Sequence, residues 1–272
     1  MSRLPTYYVS HGGGPWPWMR DQTGGRYDRL EASLQAMAQA HQGQVRAILM
    51  VTAHWETPDF TLSSSPQPGM LYDYYGFPPH TYQVHYRAPG SPELAQHALE
   101  LLQAGGVEAR LDPERGFDHG TFSALQAAYP EAQIPVVQLS VLQSFDPAAH
   151  IAAGRLLAPL RDEGVLIIGS GLSYHNLRLL NAAGTVPSQQ FDAWLQQTLT
   201  ASTPEEREAQ LLQWERAPSA RIAHAREDHL IPLMVAVGAA HDEAGACVYH
   251  EDLFMGVVAA SSFRFGEVGA DS

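Results

Sequence analysis

The stretch Tyr7 to Trp16, YYVSHGGGPW, changes character at its midpoint. Tyr7, Tyr8 and Val9 favour an extended, buried chain. The apolar run then stops at Ser10 and His11, and Gly12, Gly13, Gly14 and Pro15 follow. Three glycines allow positive φ and close approach of the backbone to a ligand. A histidine at the C-terminal end of a strand, before a glycine turn, is where open α/β sheets place ligand chemistry. One such turn is also what an ordinary surface loop carrying a polar histidine looks like, so the reading depends on whether the pattern recurs.

It recurs twice. Val45 to Ala53, VRAILMVTA, is a continuous apolar run of the kind covered on both faces of a sheet, and it leads into His54, Trp55 and Glu56. Gly164 to Ser170, GVLIIGS, is a third buried strand, followed within six residues by His175 and Asn176. Parallel strands in one sheet bring these three ends to one edge, which predicts that His11, His54 and His175 converge. Asp118–His119 and Asp228–His229 fall at predicted helix starts, with Thr121 or Ser123 as the cap of the first, and are candidates for the same edge. His41, His97, His150 and His241 lie on predicted helices and read as solvated. His80 and His85 lie in an aromatic loop, and His250 has no context.

The rest of the pattern is α/β. Helices are predicted over Tyr27–His41, Pro92–Ala104 with Ser91 as N-cap, Pro147–Leu160, Pro187–Leu199, Pro204–Trp214 and the second half of Ala217–Ala240. Further strands are predicted at Val107–Leu111, Ile134–Val141 and within Phe254–Phe265. Phe60 to Pro92, rich in Pro, Gly, Ser and Tyr, reads as a folded excursion that walls a pocket or an interface. With no linker or repeat, residues 1–272 are expected to form a single domain, α/β, with a mixed and mostly parallel central sheet flanked by helices on both faces.

Composition narrows the chemistry. Apolar residues make up 45% of the 272 residues, charged residues 17%, and the net charge is -13. This balance disfavours nucleic acid or an anionic membrane as partner. No apolar run reaches the length needed to span a bilayer, and no secretory signal is evident, so a cytoplasmic protein is expected. A single cysteine, Cys247, excludes a cysteine-rich metal site. Thirteen histidines remain, and neutral imidazoles beside carboxylates suit a divalent ion such as Fe(II) or Zn(II). Ser170 in GSGLS lacks the spacing of a serine-hydrolase elbow, and Gly12–Gly14 lack the lysine of a phosphate loop.

The motifs SHGGGPW, TAHWE (52–56), YDYYGFPPHTYQVHYRAPGSPELA (72–95), GFDHGTFSAL (116–125), IIGSGLSYHNL (167–177) and HAREDHLIPL (224–233) run in order along nearly the whole chain. In this order they resemble the class III extradiol ring-cleavage dioxygenases, the LigB superfamily, and within it the subgroup similar to 4,5-DOPA dioxygenase. The resemblance implies one non-haem metal, Fe(II) for dioxygenase activity or Zn(II) as found, an aromatic diol and O2 as substrates, and His11, His54 and His229 as ligands. Glu227 or Asp228 is the alternative third ligand, because HAREDH departs from the more frequent HPREEH at Ala225 and Asp228. His175 aligns with the acid/base histidine, and His119 would bind a substrate oxygen. Gly13, Tyr75, Phe77 and His119 are the expected substrate contacts. A zinc-dependent hydrolase on the same fold, or a metal-binding member without ring cleavage, are the other functions such a site allows. A homodimer through the aromatic loop is one arrangement it allows.

Overall fold

The computed structural model describes residues 3–268. Eight strands form one sheet: β1 (Thr6–Ser10), β2 (Ala47–Thr57), β3 (Phe60–Ser63), β4 (Ala109–Asp112), β5 (Val136–Leu142), β6 (Val165–Gly171), β7 (Gly245–Phe254) and β8 (Val258–Phe265), in the order β4-β3-β5-β2-β6-β1-β8-β7. The central four, β5-β2-β6-β1, are mutually parallel. β3 runs antiparallel to β5, and β8 antiparallel to β1. The sheet is therefore mixed and mostly parallel in its core, as expected from the uninterrupted apolar runs. Ile48 to Val51 and Leu166 to Ile168 are fully buried, which requires cover on both faces.

Alternation along β1 and β6 assigns those covers. The Tyr7 hydroxyl meets His41 of the helix Asp28–Ala40 and its neighbouring turn at 2.7 Å. The flanking Thr6 and Tyr8 donate instead to the carbonyls of Ala236 and His229, at 2.7 Å each. Likewise the Ser170 hydroxyl donates to the Gly120 carbonyl at 2.5 Å, in the helix His119–Ala128. A Cβ on Gly169 or Gly171 would strike the carbonyls of Pro232 or His229. One face thus carries the helices Asp28–Ala40 and His119–Ala128, and the other carries Ile231–Ala239 packed on Pro147–Leu157.

Several expectations need correction. β2 does not end at Ala53 but continues to Thr57, and its register against β5 slips between Val51 and Glu56. That bulge contains His54, so His54 projects from a distorted strand rather than from a loop. The strand expected in the tail is the second half of a hairpin. Its partner β7 escaped notice because it is an edge strand with charged and exposed positions, which blur the apolar alternation. β3 lies inside the aromatic excursion and has only four residues. The helix expected from Pro187 begins at Ala182, with Asn181 accepting from the Ala183 N–H. Asp118, not Thr121 or Ser123, caps the helix His119–Ala128, accepting from the Thr121 N–H at 3.1 Å. His229 precedes the helix Ile231–Ala239 rather than lying in its first turn.

His41 and His150 are buried, not solvated. Each has partners that sequence periodicity cannot reveal. His150 Nδ1 donates to the Asp146 carbonyl at 2.7 Å, and its Nε2 accepts from the Leu142 N–H at 3.0 Å. A neutral imidazole satisfies both bonds, whereas a protonated ring would lose the second. Burial, partly offset by Asp146, lowers its pKa to about 4.

Two outcomes follow from this arrangement. Gly171→Ala places a methyl group against the His229 carbonyl and should cost about 1–3 kcal/mol in urea unfolding, while Gly69→Ala, which meets no atom within 4 Å, should cost far less. Equal losses for the two would contradict the packing described. For His150 the folded-state pKa is depressed below the unfolded value of about 6.5. Its contribution is complete above that pH and is lost as the pH falls towards 4. Between pH 7 and about 4.5 the wild type should therefore lose about 2–3 kcal/mol more than His150→Asn. Parallel pH profiles of the two proteins would count against it.

Candidate metal centre

At the C-terminal edge of the parallel strands three imidazoles point their Nε2 atoms at one spot. His54 Nε2 lies 3.1 Å from His11 Nε2 and 3.2 Å from His229 Nε2. His11 follows β1 directly, His54 sits on the bulge of β2, and His229 is held by the turn that docks on Gly171 of β6. Three nitrogens bound to one ion at about 2.1 Å are separated by about 3.0–3.4 Å, so these spacings suit a single divalent metal. Two unshielded nitrogen lone pairs held this close, with no proton or ion between them, would repel.

Each ring is also oriented from behind. His11 Nδ1 lies 3.2 Å from the Ser170 hydroxyl, which is itself committed as a donor to the Gly120 carbonyl and so accepts from the ring. His229 Nδ1 lies 3.0 Å from Asp228 Oδ2, and Asp73 Oδ2 faces His54 Nδ1 at 3.2 Å as a nearby negative charge, out of line for a hydrogen bond. An acceptor or a negative charge at Nδ1 keeps the proton there and leaves the Nε2 lone pair free, the arrangement usual behind metal-bound histidines.

Electrostatics act in the same sense. Burial, reinforced by the other imidazoles, pushes His11 and His54 well below the ordinary histidine range. It lowers His229 to about 4, against the opposing pull of Asp228. All three rings are therefore neutral at neutral pH, and a metal would have no proton to displace from them. Burial alone would raise the Asp228 carboxyl, but His175 and His229 outweigh it and hold the group far below the usual carboxylate range.

Two more histidines complete the cluster. The His175 ring stacks on His229 at 3.4 Å between centroids and 17° between planes, with Nδ1 3.7 Å from Asp228 Oδ1. The His119 ring lies 3.9 Å from that of His54, and its Nδ1 is 2.9 Å from Asp73 Oδ1. All five histidines singled out in the sequence thus meet. Of the alternative ligands, Glu227 turns away to Arg221 at 2.6 Å, and Asp228 stands behind His229 rather than beside the Nε2 atoms.

The expected substrate contacts are placed unevenly. Gly13 is exposed beside the Tyr27 ring, and the Phe77 ring packs over Gly14. Tyr75 is 92% exposed. The loop aromatic that meets the cluster is Tyr74, with its centroid 5.9 Å from that of His119 and 5.3 Å from that of Phe77. Sequence reasoning missed Asp73 altogether. One signal was available, since Asp73 is the sole acidic residue between Phe60 and Pro92.

Comparison with known proteins identifies the family. Residues 5–266 match the family described as the catalytic LigB subunit of aromatic ring-opening dioxygenase. A 4,5-DOPA dioxygenase extradiol from Beta vulgaris is 41% identical over 225 residues, covering 81% of this chain and 82% of the relative. One from Escherichia coli K12 is 32% identical over 271 residues, covering 97% and 96%. The crystal structure of an uncharacterized protein from Escherichia coli K12 superposes with a TM-score of 0.78 at 30% identity, covering 97% of this chain and all of that one. The chain belongs to the LigB family and is an extradiol ring-cleavage dioxygenase.

Proposed function

We propose that this enzyme opens a catechol ring beside its two hydroxyls, using a single ferrous ion held by His11, His54 and His229. The observation that carries this reading is the convergence of three neutral, buried Nε2 atoms at 3.1 and 3.2 Å, each with an acceptor or a negative charge behind its Nδ1. Fe(II) supplies the redox chemistry through which a catecholate and O2 react, whereas Zn(II), being d¹⁰, supplies none.

The chain's own residues would do the rest. The Asp228 carboxylate, 3.7 Å from Nδ1 of His175, favours by its charge a proton on that nitrogen, which leaves Nε2 to take the catechol proton and return it later. Asp73 engages Nδ1 of His119 in the same way, leaving its Nε2 to meet an oxygen that gains negative charge. Gly12 and Gly14, both at positive φ, turn the backbone past His11 where a Cβ would strike Trp16 and Phe77. Phe77 and Gly13 would line the approach to the cluster, and Tyr74 would offer a ring edge to the substrate. Tyr75, at the rim, would touch only substituents that project outwards. A 4,5-DOPA-like substrate is what the named relatives favour.

The test begins with apoprotein reloaded anaerobically with Fe(II) or with Zn(II) and offered catechols, DOPA among them. Oxygen uptake and a yellow ring-opened product are expected with Fe(II) alone. Ester or amide cleavage by the Zn(II) form without oxygen uptake would overturn the proposal. His175→Ala should lower turnover by about 10²–10⁴-fold with metal content unchanged. Loss of the metal in that variant would make His175 a ligand instead of the acid/base.

A further inference from the structure

We infer that Asp73 is a positioning residue that fixes the tautomer of His54 with one carboxylate oxygen and seats His119 with the other, so that the aromatic excursion controls metal affinity. The inference rests on the proposed role of His54 as a metal ligand and adds a residue that neither motif nor family assignment singled out.

The two oxygens of Asp73 have different work. Oδ1 accepts from the backbone N–H of His119 and lies within hydrogen-bond distance of its Nδ1, both at 2.9 Å. Oδ2 is buried and has no hydrogen-bond partner of good geometry, and the nitrogen it faces is His54 Nδ1, at 3.2 Å. A buried carboxylate oxygen left without a donor is costly. The carboxylate's charge, 3.2 Å from His54 Nδ1, favours the proton on that nitrogen, and that tautomer leaves Nε2 free. The His119 and His54 rings lie 3.9 Å apart, so one carboxylate sets both.

The same pattern occurs across the cluster. Asp228 stands behind His229 and also faces His175. His175 and His119, the two histidines proposed to act on substrate, therefore each share a carboxylate with a proposed ligand. The two carboxylates differ in where they come from. Asp228 is adjacent in sequence to His229, while Asp73 reaches in from the excursion. Tyr74 beside it bonds the Thr81 carbonyl at 2.6 Å, and Tyr72 bonds the Val84 carbonyl at 2.7 Å. Those bonds shape the excursion, and the Leu71 N–H donates to the Phe117 carbonyl at 2.8 Å beside Asp118 and His119, so seating the excursion seats the carboxylate.

Asp73→Asn separates the two tasks. The His119 N–H needs an acceptor, so the amide oxygen must take the Oδ1 position. The amide NH2 then faces His54 Nδ1 as a donor. His54 must accept there, its proton moves to Nε2, and the lone pair aimed at the metal is lost. Zn(II) alone, titrated into apoprotein against a chromophoric chelator, reads the effect without reference to activity. Asp73→Asn should bind Zn(II) about 10–100-fold more weakly than wild type, with apoprotein thermal unfolding little changed and most of the loss recovered in Asp73→Glu. Wild-type affinity in Asp73→Asn, while His54→Ala has lost it, would overturn the inference. Unchanged affinity in His54→Ala would instead overturn the ligand assignment beneath it. Should Asp73→Asn fail to fold, Asp73→Glu and Asp73→Gln make the same comparison. Tenfold tighter binding by Glu supports the inference, and equal binding by Glu and Gln refutes it.

Discussion

The Gly169-Ser170-Gly171 end of β6 is the constraint on which the site depends. The two glycines leave one face of the strand bare, so that the His229–Pro232 backbone lies directly on it. Ser170 faces the opposite side, where its hydroxyl ties the Gly120 carbonyl to the His11 ring. β6 lies between β1 and β2, with Val9 and Thr52 both in register with Ser170. Elements that are distant in sequence and lie on different faces of the sheet therefore meet at one strand end. The motif that superficially resembles a nucleophile elbow acts through close packing and through one hydroxyl that never reaches solvent.

Electrostatics complete what packing begins. Five imidazoles in one cluster would repel if charged. Burial keeps the three convergent rings neutral, and the carboxylates of Asp228 and Asp73 face the outward Nδ1–H groups of His229 and His54. The cluster is in this sense poised for a cation, since its inward face presents lone pairs and its periphery presents negative charge. Asp118 extends the periphery. It caps the helix that bears His119, accepts from Thr52 at 2.8 Å and from Arg115 at 2.8 Å, and has a pKa raised by burial and by Asp73.

The parallel centre of the fold was legible because β1, β2 and β6 are buried on both faces and so read as unbroken apolar runs that end in histidine. The edges were not legible. β3 is too short for a pattern to develop, and β7 mixes exposed and charged positions. Likewise the five clustered histidines could be found from strand and helix ends, but their supports could not. Asp73 acts across 46 residues on His119, a distance no local period encodes. His41 and His150 looked like solvated helix residues because their partners, Tyr7 and the Leu142 N–H, come from other elements.

One structural measurement bears most directly on the proposed centre. Crystals of protein loaded anaerobically with Fe(II) would be analysed by anomalous scattering at the iron edge. The account predicts a single strong peak enclosed by the Nε2 atoms of His11, His54 and His229, with Asp73 and Asp228 outside the coordination sphere. A peak bonded to Asp228, or one that leaves any of the three histidines uncoordinated, would contradict it.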